Sequence, residues 1–170
     1  MLVLSYAGPL ASIVFLTVVA VLPWGLPSEA RFFLPLLPVV AIHYWSLRQP
    51  ENLPEWFVFF AGLALDVLTH GPLGYWALIY LLGYVLGVLS RPYGHLGQSV
   101  RVALFAAALA VVALLAWMVS SAYALEIVDW RPYAIGAGYA ALASLLILPV
   151  LHVFAAAKEA RLGTRLQRGG

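Results

Sequence analysis

The residues that decide the fold are Gly62-Leu-Ala-Leu-Asp-Val-Leu-Thr-His-Gly-Pro-Leu-Gly74. Asp66 lies inside this otherwise apolar stretch, although a carboxylate at bilayer depth costs roughly 2.5–3.5 kcal/mol on insertion scales. His70 follows one helical turn later on the same face. Gly71 and Pro72 then end the helix, and Gly74 permits a tight entry into the next apolar segment. The stretch therefore predicts a helical hairpin with a polar group near its turn.

The composition is typical of a membrane protein. Of the 170 residues, 64% are hydrophobic and 9% are charged, and the mean hydropathy is +0.97, whereas about a quarter of the residues of a soluble domain are charged. The chain has no Cys, which excludes disulfides, thiol catalysis and Cys-ligated metals. The net charge of +2 comes from basic residues at the ends of apolar segments. It therefore indicates membrane topology and not nucleic-acid binding.

Apolar segments near the length that crosses a bilayer, roughly 17–25 residues, predict an all-α polytopic membrane protein with one transmembrane domain over residues 1–157. Its compact bundle of six transmembrane helices is expected to have spans at about 8–26, 31–47, 56–70, 73–90, 101–124 and 133–157. A basic cytoplasmic tail is expected over 158–170. The second span holds Pro35 and Pro38, which predict a kink or a local unwinding.

Six spans place both termini on one side of the membrane, and the basic residues indicate which side. If the termini are cytoplasmic, Arg31 and Arg131 lie outside, and the other seven of the nine basic residues lie inside. Membrane orientation follows such a bias in short loops. The seven expected inside are Arg48, Arg91, Arg101, Lys158, Arg161, Arg165 and Arg168.

Small residues spaced four apart on two spans predict close helix packing in lipid. Gly83 and Gly87 form such a pair in the fourth span, and Gly136, Ala140 and Ser144 form a longer stripe in the sixth. Each set could pack inside the bundle or receive the transmembrane helix of a partner. Because the short hairpin connection presses the third and fourth spans together, we expect the fourth-span pair inside. The sixth-span stripe is the expected docking face.

Asp66 and His70 are the candidate polar site, because residues four apart can pair on one helix face. Arg31 and Arg131 are the basic residues expected at the same level. Three roles are open for Asp66. It could be a structural lock bonded to backbone N–H groups or to an Arg, a ligand or partner contact, or part of a proton or ion pathway.

Catalytic motifs are missing from the sequence. It contains no Gly-x-Ser-x-Gly, no His-Glu-x-x-His and no phosphate loop. His43 and His152 are expected at similar depth, but nothing in the sequence supplies the three or four ligands that a metal site needs. We therefore expect no catalytic residue, no metal, no cofactor and no enzymatic activity.

Several features occur in a recognisable order. A Pro-rich second span ends in Tyr44-Trp45, and a loop with Pro50 and Pro54 follows. Gly62-Leu63-x-x-Asp66 and Gly71-Pro72-Leu73-Gly74 come next, and Pro149 interrupts the last span before the basic tail. This order resembles that of the bacterial rod-shape-determining protein MreD family, best over 31–90 and more weakly over 132–168.

The resemblance implies a non-catalytic scaffold of the rod complex, or elongasome, in the bacterial inner membrane, which maintains cell shape by organising sidewall peptidoglycan synthesis. The implied partners are an MreC-type single-span periplasmic protein, an MreB-type actin-like filament, a glycosyltransferase–transpeptidase pair and membrane lipid, with no nucleic acid. The family's fold is similar to the substrate-binding components of energy-coupling-factor transporters. The alternative function is therefore the substrate-binding membrane component of a small-molecule, vitamin-type transporter.

Overall fold

The computed structural model describes residues 3–25, 27 and 32–168, so Arg31 lies outside the described residues. Within these ranges the chain is all-helical, with 83% helix and no strand. Short 3-10 turns at Pro50–Asn52 and Arg91–Tyr93 follow the second and fourth helices. The six α-helices are α1 Val3–Val21, α2 Phe33–Arg48, α3 Glu55–Leu68, α4 Tyr75–Ser90, α5 Gln98–Ala124 and α6 Arg131–Arg168.

Each predicted span overlaps one of the six helices, and the ends differ in informative ways. α6 continues to Arg168, so the residues expected as a basic tail extend the last helix. α2 runs without interruption from Phe33 to Arg48, and the expected local unwinding is absent. Pro35 lies in its first turn, where a missing N–H removes no helical hydrogen bond, while Pro38 lies inside the helix.

α2 is the central helix of the bundle. Every residue from Pro35 to His43 is buried, and the helix contacts α1, α4 and α6. The other helices close around it in the order α1, α3, α4, α5 and α6, with little contact between α1 and α6. A helix that is buried on all sides needs an apolar surface all round, which explains why α2 lacks a polar face.

Glycines on α3 and α4 allow helix backbones to approach closely. A Cβ atom on Gly62 would lie 2.5 Å from Ala77 Cα, so α3 and α4 are in backbone contact there. A Cβ on Gly83 would lie 3.0 Å from Val39 Cγ1 of α2, and one on Gly87 would overlap Ser46 Oγ. The Gly83/Gly87 pair is therefore inside the bundle as expected, although it packs against α2 and not α3.

The stripe of Gly136, Ala140 and Ser144 on α6 is also inside the bundle, and the expectation that it forms a docking face is wrong. A Cβ on Gly136 would lie 3.0 Å from Phe32 Cδ1. Ala140 is fully buried and Ser144 is 4% exposed. The physical reason is the central position of α2, which needs a close neighbour on this side and receives α6 through its smallest side chains.

Two helices are long and apolar enough to cross a membrane, namely Gln98–Ala124 and the part of α6 from Arg131 to Val153. Only 28% and 22% of their most apolar windows are buried inside the protein, unlike the core helix of a soluble protein. α1 adds a shorter apolar segment, Ala7–Val21. Large side chains such as Leu146, 77% exposed, point outwards. This outer surface is suited to an apolar surrounding.

We predict that Gly62→Ala destabilises the bundle by about 1–3 kcal/mol, because the added methyl group overpacks the contact between α3 and α4. The matched control is Gly138→Ala, because Gly138 is an exposed α6 residue with no atom within 4 Å of the position that the added methyl group would take. Both changes raise helix propensity equally, so their difference in thermal unfolding in detergent isolates the packing term. Equal melting temperatures would contradict the close approach at Gly62.

Candidate functional site

Asp66 is a fully buried residue in the last turn of α3, and its carboxylate meets the beginning of α4. Oδ2 accepts a hydrogen bond of 2.8 Å from the backbone N–H of Gly74. Oδ1 accepts a second, also of 2.8 Å, from the backbone N–H of Trp76. Both carboxylate oxygens are thus bound to backbone donors in the first turn of the next helix.

The carboxylate of Asp66 pairs backbone N–H groups at the start of α4 that would otherwise lack an acceptor. The first N–H groups of a helix have no partner within the helix, and the helix dipole favours negative charge there. The N-cap residue, Gly74, has no side chain that could accept these hydrogen bonds. Asp66 supplies the acceptor from the preceding helix, and each hydrogen bond to a charged group contributes roughly 1.5–3 kcal/mol. Two such bonds explain how a carboxylate is retained among apolar side chains.

Asp66 also helps to end its own helix. Its carbonyl accepts a hydrogen bond of 3.0 Å from Gly71 N–H, and His70 N–H donates to Val67 O at 3.3 Å. This is the Schellman arrangement, with His70 in the left-handed position at φ +54°. Pro72 follows and cannot continue the helix. Asp66 therefore accepts hydrogen bonds both at the end of α3, through its carbonyl, and at the start of α4, through its carboxylate.

His70 does not pair with Asp66, contrary to the prediction. The rule that residues four apart share a face holds only within a helix, and α3 ends at Leu68. His70 is exposed on the left-handed turn, while both Asp66 oxygens are bound elsewhere. In the described part of the chain Asp66 forms no ion pair with an Arg either. The backbone N–H of Arg131 donates to Asp129 Oδ1 at 3.1 Å.

Aromatic side chains surround the corner and connect it to the remaining helices. Tyr75 OH donates to Ala116 O of α5 at 3.1 Å and accepts a bond of the same length from Ser120 Oγ. Phe32 lies between Trp76 and Tyr133, with ring centroids 5.3 and 4.5 Å away. They border a pocket of about 280 Å³, lined by Phe32, Pro72, Tyr75, Trp76, Ser120, Tyr123 and Tyr133.

The two histidines considered as metal ligands take part in different contacts. His43 is buried, with its ring edge-on to Phe105 at 5.4 Å between centroids. His152 is exposed, and its Nδ1 lies 3.0 Å from Arg48 Nη1. No group of three or more His, Asp or Glu side chains with metal-site geometry occurs among the residues described. The contact between Arg48 and His152 was not predicted, because 104 positions separate the two residues.

Comparisons with protein-family models, with curated proteins and with solved structures found no match. The class that the fold defines is an all-helical protein with two helices apolar enough to cross a membrane. The resemblance to the MreD family therefore stays a prediction that rests on the motifs quoted above.

We predict that Asp66→Asn lowers the stability of the bundle and that Asp66→Leu lowers it further. Asp66→Asn keeps one acceptor oxygen but turns an amide NH₂ towards the other N–H donor. Asp66→Leu leaves the N–H groups of Gly74 and Trp76 unpaired, at a cost of about 1–3 kcal/mol each. Abundance in membranes and thermal unfolding in detergent measure the effect.

The control for this series is Glu126→Gln, which removes a carboxylate from the exposed connection between α5 and α6 and should leave stability unchanged. An outcome in which both Asp66 variants lose function equally, at normal abundance and unchanged melting temperature, would contradict the structural lock. Such an outcome would favour a charge-dependent ion or ligand role.

Proposed function

We propose that this chain is a multi-pass protein of the bacterial inner membrane, with six membrane-spanning helices and both termini in the cytoplasm. The support is the bias of the basic residues together with large exposed side chains on several helices, including Phe15, Leu89 and Leu146. α2, α3 and α4 have 14–16 residues, which corresponds to about 21–24 Å. In this proposal, the turn residues at the ends of these three helices supply the remaining length needed to cross the hydrocarbon layer.

Within that membrane we propose a non-catalytic scaffold of the rod complex, which maintains cell shape by organising sidewall peptidoglycan synthesis. The observation that carries this proposal is the occupation of both Asp66 oxygens by backbone N–H groups. Each oxygen keeps a second lone pair, but the carboxylate is fully buried and both of its hydrogen bonds fix the corner between α3 and α4. The buried carboxylate of Asp66 thus stabilises the arrangement of the helices. A scaffold acts through such an arrangement, because it presents helix surfaces to its partners.

The proposed partners are those of the resemblance: an MreC-type single-span protein, an MreB-type filament and a glycosyltransferase–transpeptidase pair. Because the small residues of α6 are buried, a partner helix would meet large apolar side chains on the outer faces of α5 and α6. Leu114 and Met118 of α5 and Leu142 and Leu145 of α6 are each at least half exposed. Packing of complementary side chains is how such faces associate in lipid.

The alternative is a substrate-binding component of a vitamin-type transporter, and the aromatic pocket beside the corner is the observation that favours it. Its volume of about 280 Å³ lies just below the roughly 300–1,000 Å³ of typical small-molecule sites. The hydroxyl groups of Tyr75 and Ser120 on its wall are already engaged in hydrogen bonds within the bundle. These two hydroxyl groups are therefore not free to orient a substrate, and we favour the scaffold.

Depletion of the protein in its native host tests the proposal. We expect rod-shaped cells to widen or become round, because the elongation machinery loses its organiser. A plasmid copy should restore the shape if it carries Glu126→Gln but not if it carries Asp66→Leu. A single-span periplasmic protein should co-purify with the wild type in mild detergent. Unchanged cell shape together with loss of uptake of a small molecule would contradict the scaffold and support the alternative.

A further inference from the structure

A cavity of about 620 Å³ lies in the gap between α1 and α6, the two neighbouring helices with least contact. Gly8, Ala11 and Phe15 form its α1 side, Leu146 and Val150 its α6 side, and Trp45 of α2 its base. Its volume falls within the roughly 300–1,000 Å³ range of ligand cavities.

The polar groups of the cavity wall are already paired within the protein. Trp45 Nε1 donates to Ser12 Oγ at 2.9 Å, and Ser12 Oγ donates to Pro9 O at the same distance. The cavity consequently offers almost only apolar surface to an occupant. A hydrocarbon chain can fill it without losing hydrogen bonds, whereas a polar solute would lose its bonds to water.

A polar cluster of Tyr44, Arg48 and His152 lies close in sequence to residues that line this cavity. Arg48 is three residues after Trp45, and His152 follows the cavity residue Leu151. Arg48 Nη1 donates to Tyr44 OH at 3.1 Å and to His152 Nδ1 at 3.0 Å. His152 Nδ1 must be the acceptor, because a guanidinium carries donors only.

The cluster leaves Arg48 able to bind an anion. The guanidinium carbon lies 5.3 Å from the centre of the Tyr44 ring, which orients the group. Both hydrogen bonds that Arg48 makes to described residues start from Nη1, so Nε and Nη2 keep three of its five donors. Arg48 is exposed and forms no ion pair with a carboxylate in the described part of the chain. A phosphate matches this charge and this fork-shaped set of donors.

We propose that the cavity binds an acyl chain of an anionic glycerophospholipid whose phosphate is held by Arg48 beside His152 and Tyr44. The inference rests on the membrane insertion proposed above, in which Arg48 lies at the cytoplasmic surface, where anionic lipids are concentrated. The cavity extends along α1 from Gly8 to Leu16, about 12 Å. That length fits part of a single chain better than a transmembrane helix, which is about 10–12 Å wide and needs a contact along much of its length.

Native mass spectrometry of the full chain in mild detergent tests the proposal, with phosphatidylglycerol and phosphatidylcholine of identical acyl chains as probes. The wild type should retain phosphatidylglycerol preferentially. Arg48→Gln should lower that preference about fivefold, as expected for one basic residue near a lipid surface. The control Arg91→Gln should leave the preference unchanged, because Arg91 is also an exposed arginine but its guanidinium pairs with Glu51.

A second variant separates the acyl chain from the headgroup. Ala11 is exposed and lines the cavity, so Ala11→Phe should fill the cavity without disturbing the core. Retention of both lipids should fall, and the ratio between them should stay the same. Equal retention of the two lipids by the wild type, or equal effects of Arg48→Gln and Arg91→Gln, would overturn the proposal. So would normal lipid retention in Ala11→Phe together with loss of a co-purifying single-span protein, since the cavity would then receive a helix.

Two further experiments test the proposed membrane topology separately from the lipid site. Carbonate washing shows whether the chain is integral to the membrane, and thiol labelling of Gln167→Cys shows which side the last helix reaches. If the chain is washed out or the thiol reacts only from outside, the proposed topology fails, and this lipid site fails with it. An integral protein with the expected orientation but no lipid selectivity would overturn the lipid site alone.

Discussion

The carboxylate of Asp66 and the two N–H groups that it binds at Gly74 and Trp76 are the interaction on which the rest of the bundle depends. In a hydrocarbon surrounding, water cannot satisfy these donors, so the acceptor has to come from the protein. Because the same residue also helps to end α3, the connection is short and sets α3 against α4 at Gly62. α4 then presents Gly83 to the central helix, α2.

Small residues lie at the closest contacts between helices and large apolar side chains cover much of the outer surface, while Trp45 and Tyr80 are large and buried. Gly62 and Gly136 allow backbone contact between helices, whereas Leu146 and Phe15 point outwards. This distribution suits a lipid environment, where apolar side chains gain little from leaving the solvent and helices associate through close packing. The proposed scaffold would therefore meet its partners through large side chains. The gap between α1 and α6, with Trp45 at its base, offers a recess of about 620 Å³.

The sequence was sufficient to predict the helices, because apolar length and turn residues are local properties. It also identified Asp66, since a buried charge is costly enough to require a purpose. The choice among its possible roles needed the structure, because its partners are backbone donors whose positions depend on the left-handed turn at His70 and on Gly74 at φ +93°. The predicted pair of Asp66 and His70 was wrong because α3 ends at Leu68, before His70.

Other errors arose where a pattern specifies a surface but not the neighbour that covers it. The spacing of Gly136, Ala140 and Ser144 indicates a face suited to close approach, but it cannot distinguish a partner helix from α2. The contact of Arg48 with His152 has no local signal at all, because it joins the end of α2 to a residue inside α6 that is 104 positions away. Both features depend on how the helices are arranged around α2, which periodicity does not encode.

Amide hydrogen exchange at Gly74 and Trp76, measured by NMR on the protein in lipid nanodiscs, tests the central claim most directly. Both amides lie at the start of α4, where a helix supplies no partner of its own. The reference is the amide of Arg131, which is bonded to the exposed Asp129 carboxylate at the start of α6. The account predicts that Gly74 and Trp76 exchange much more slowly than Arg131 and that Asp66→Leu abolishes this protection. Exchange of both amides as fast as that of Arg131 in the wild-type protein would contradict it.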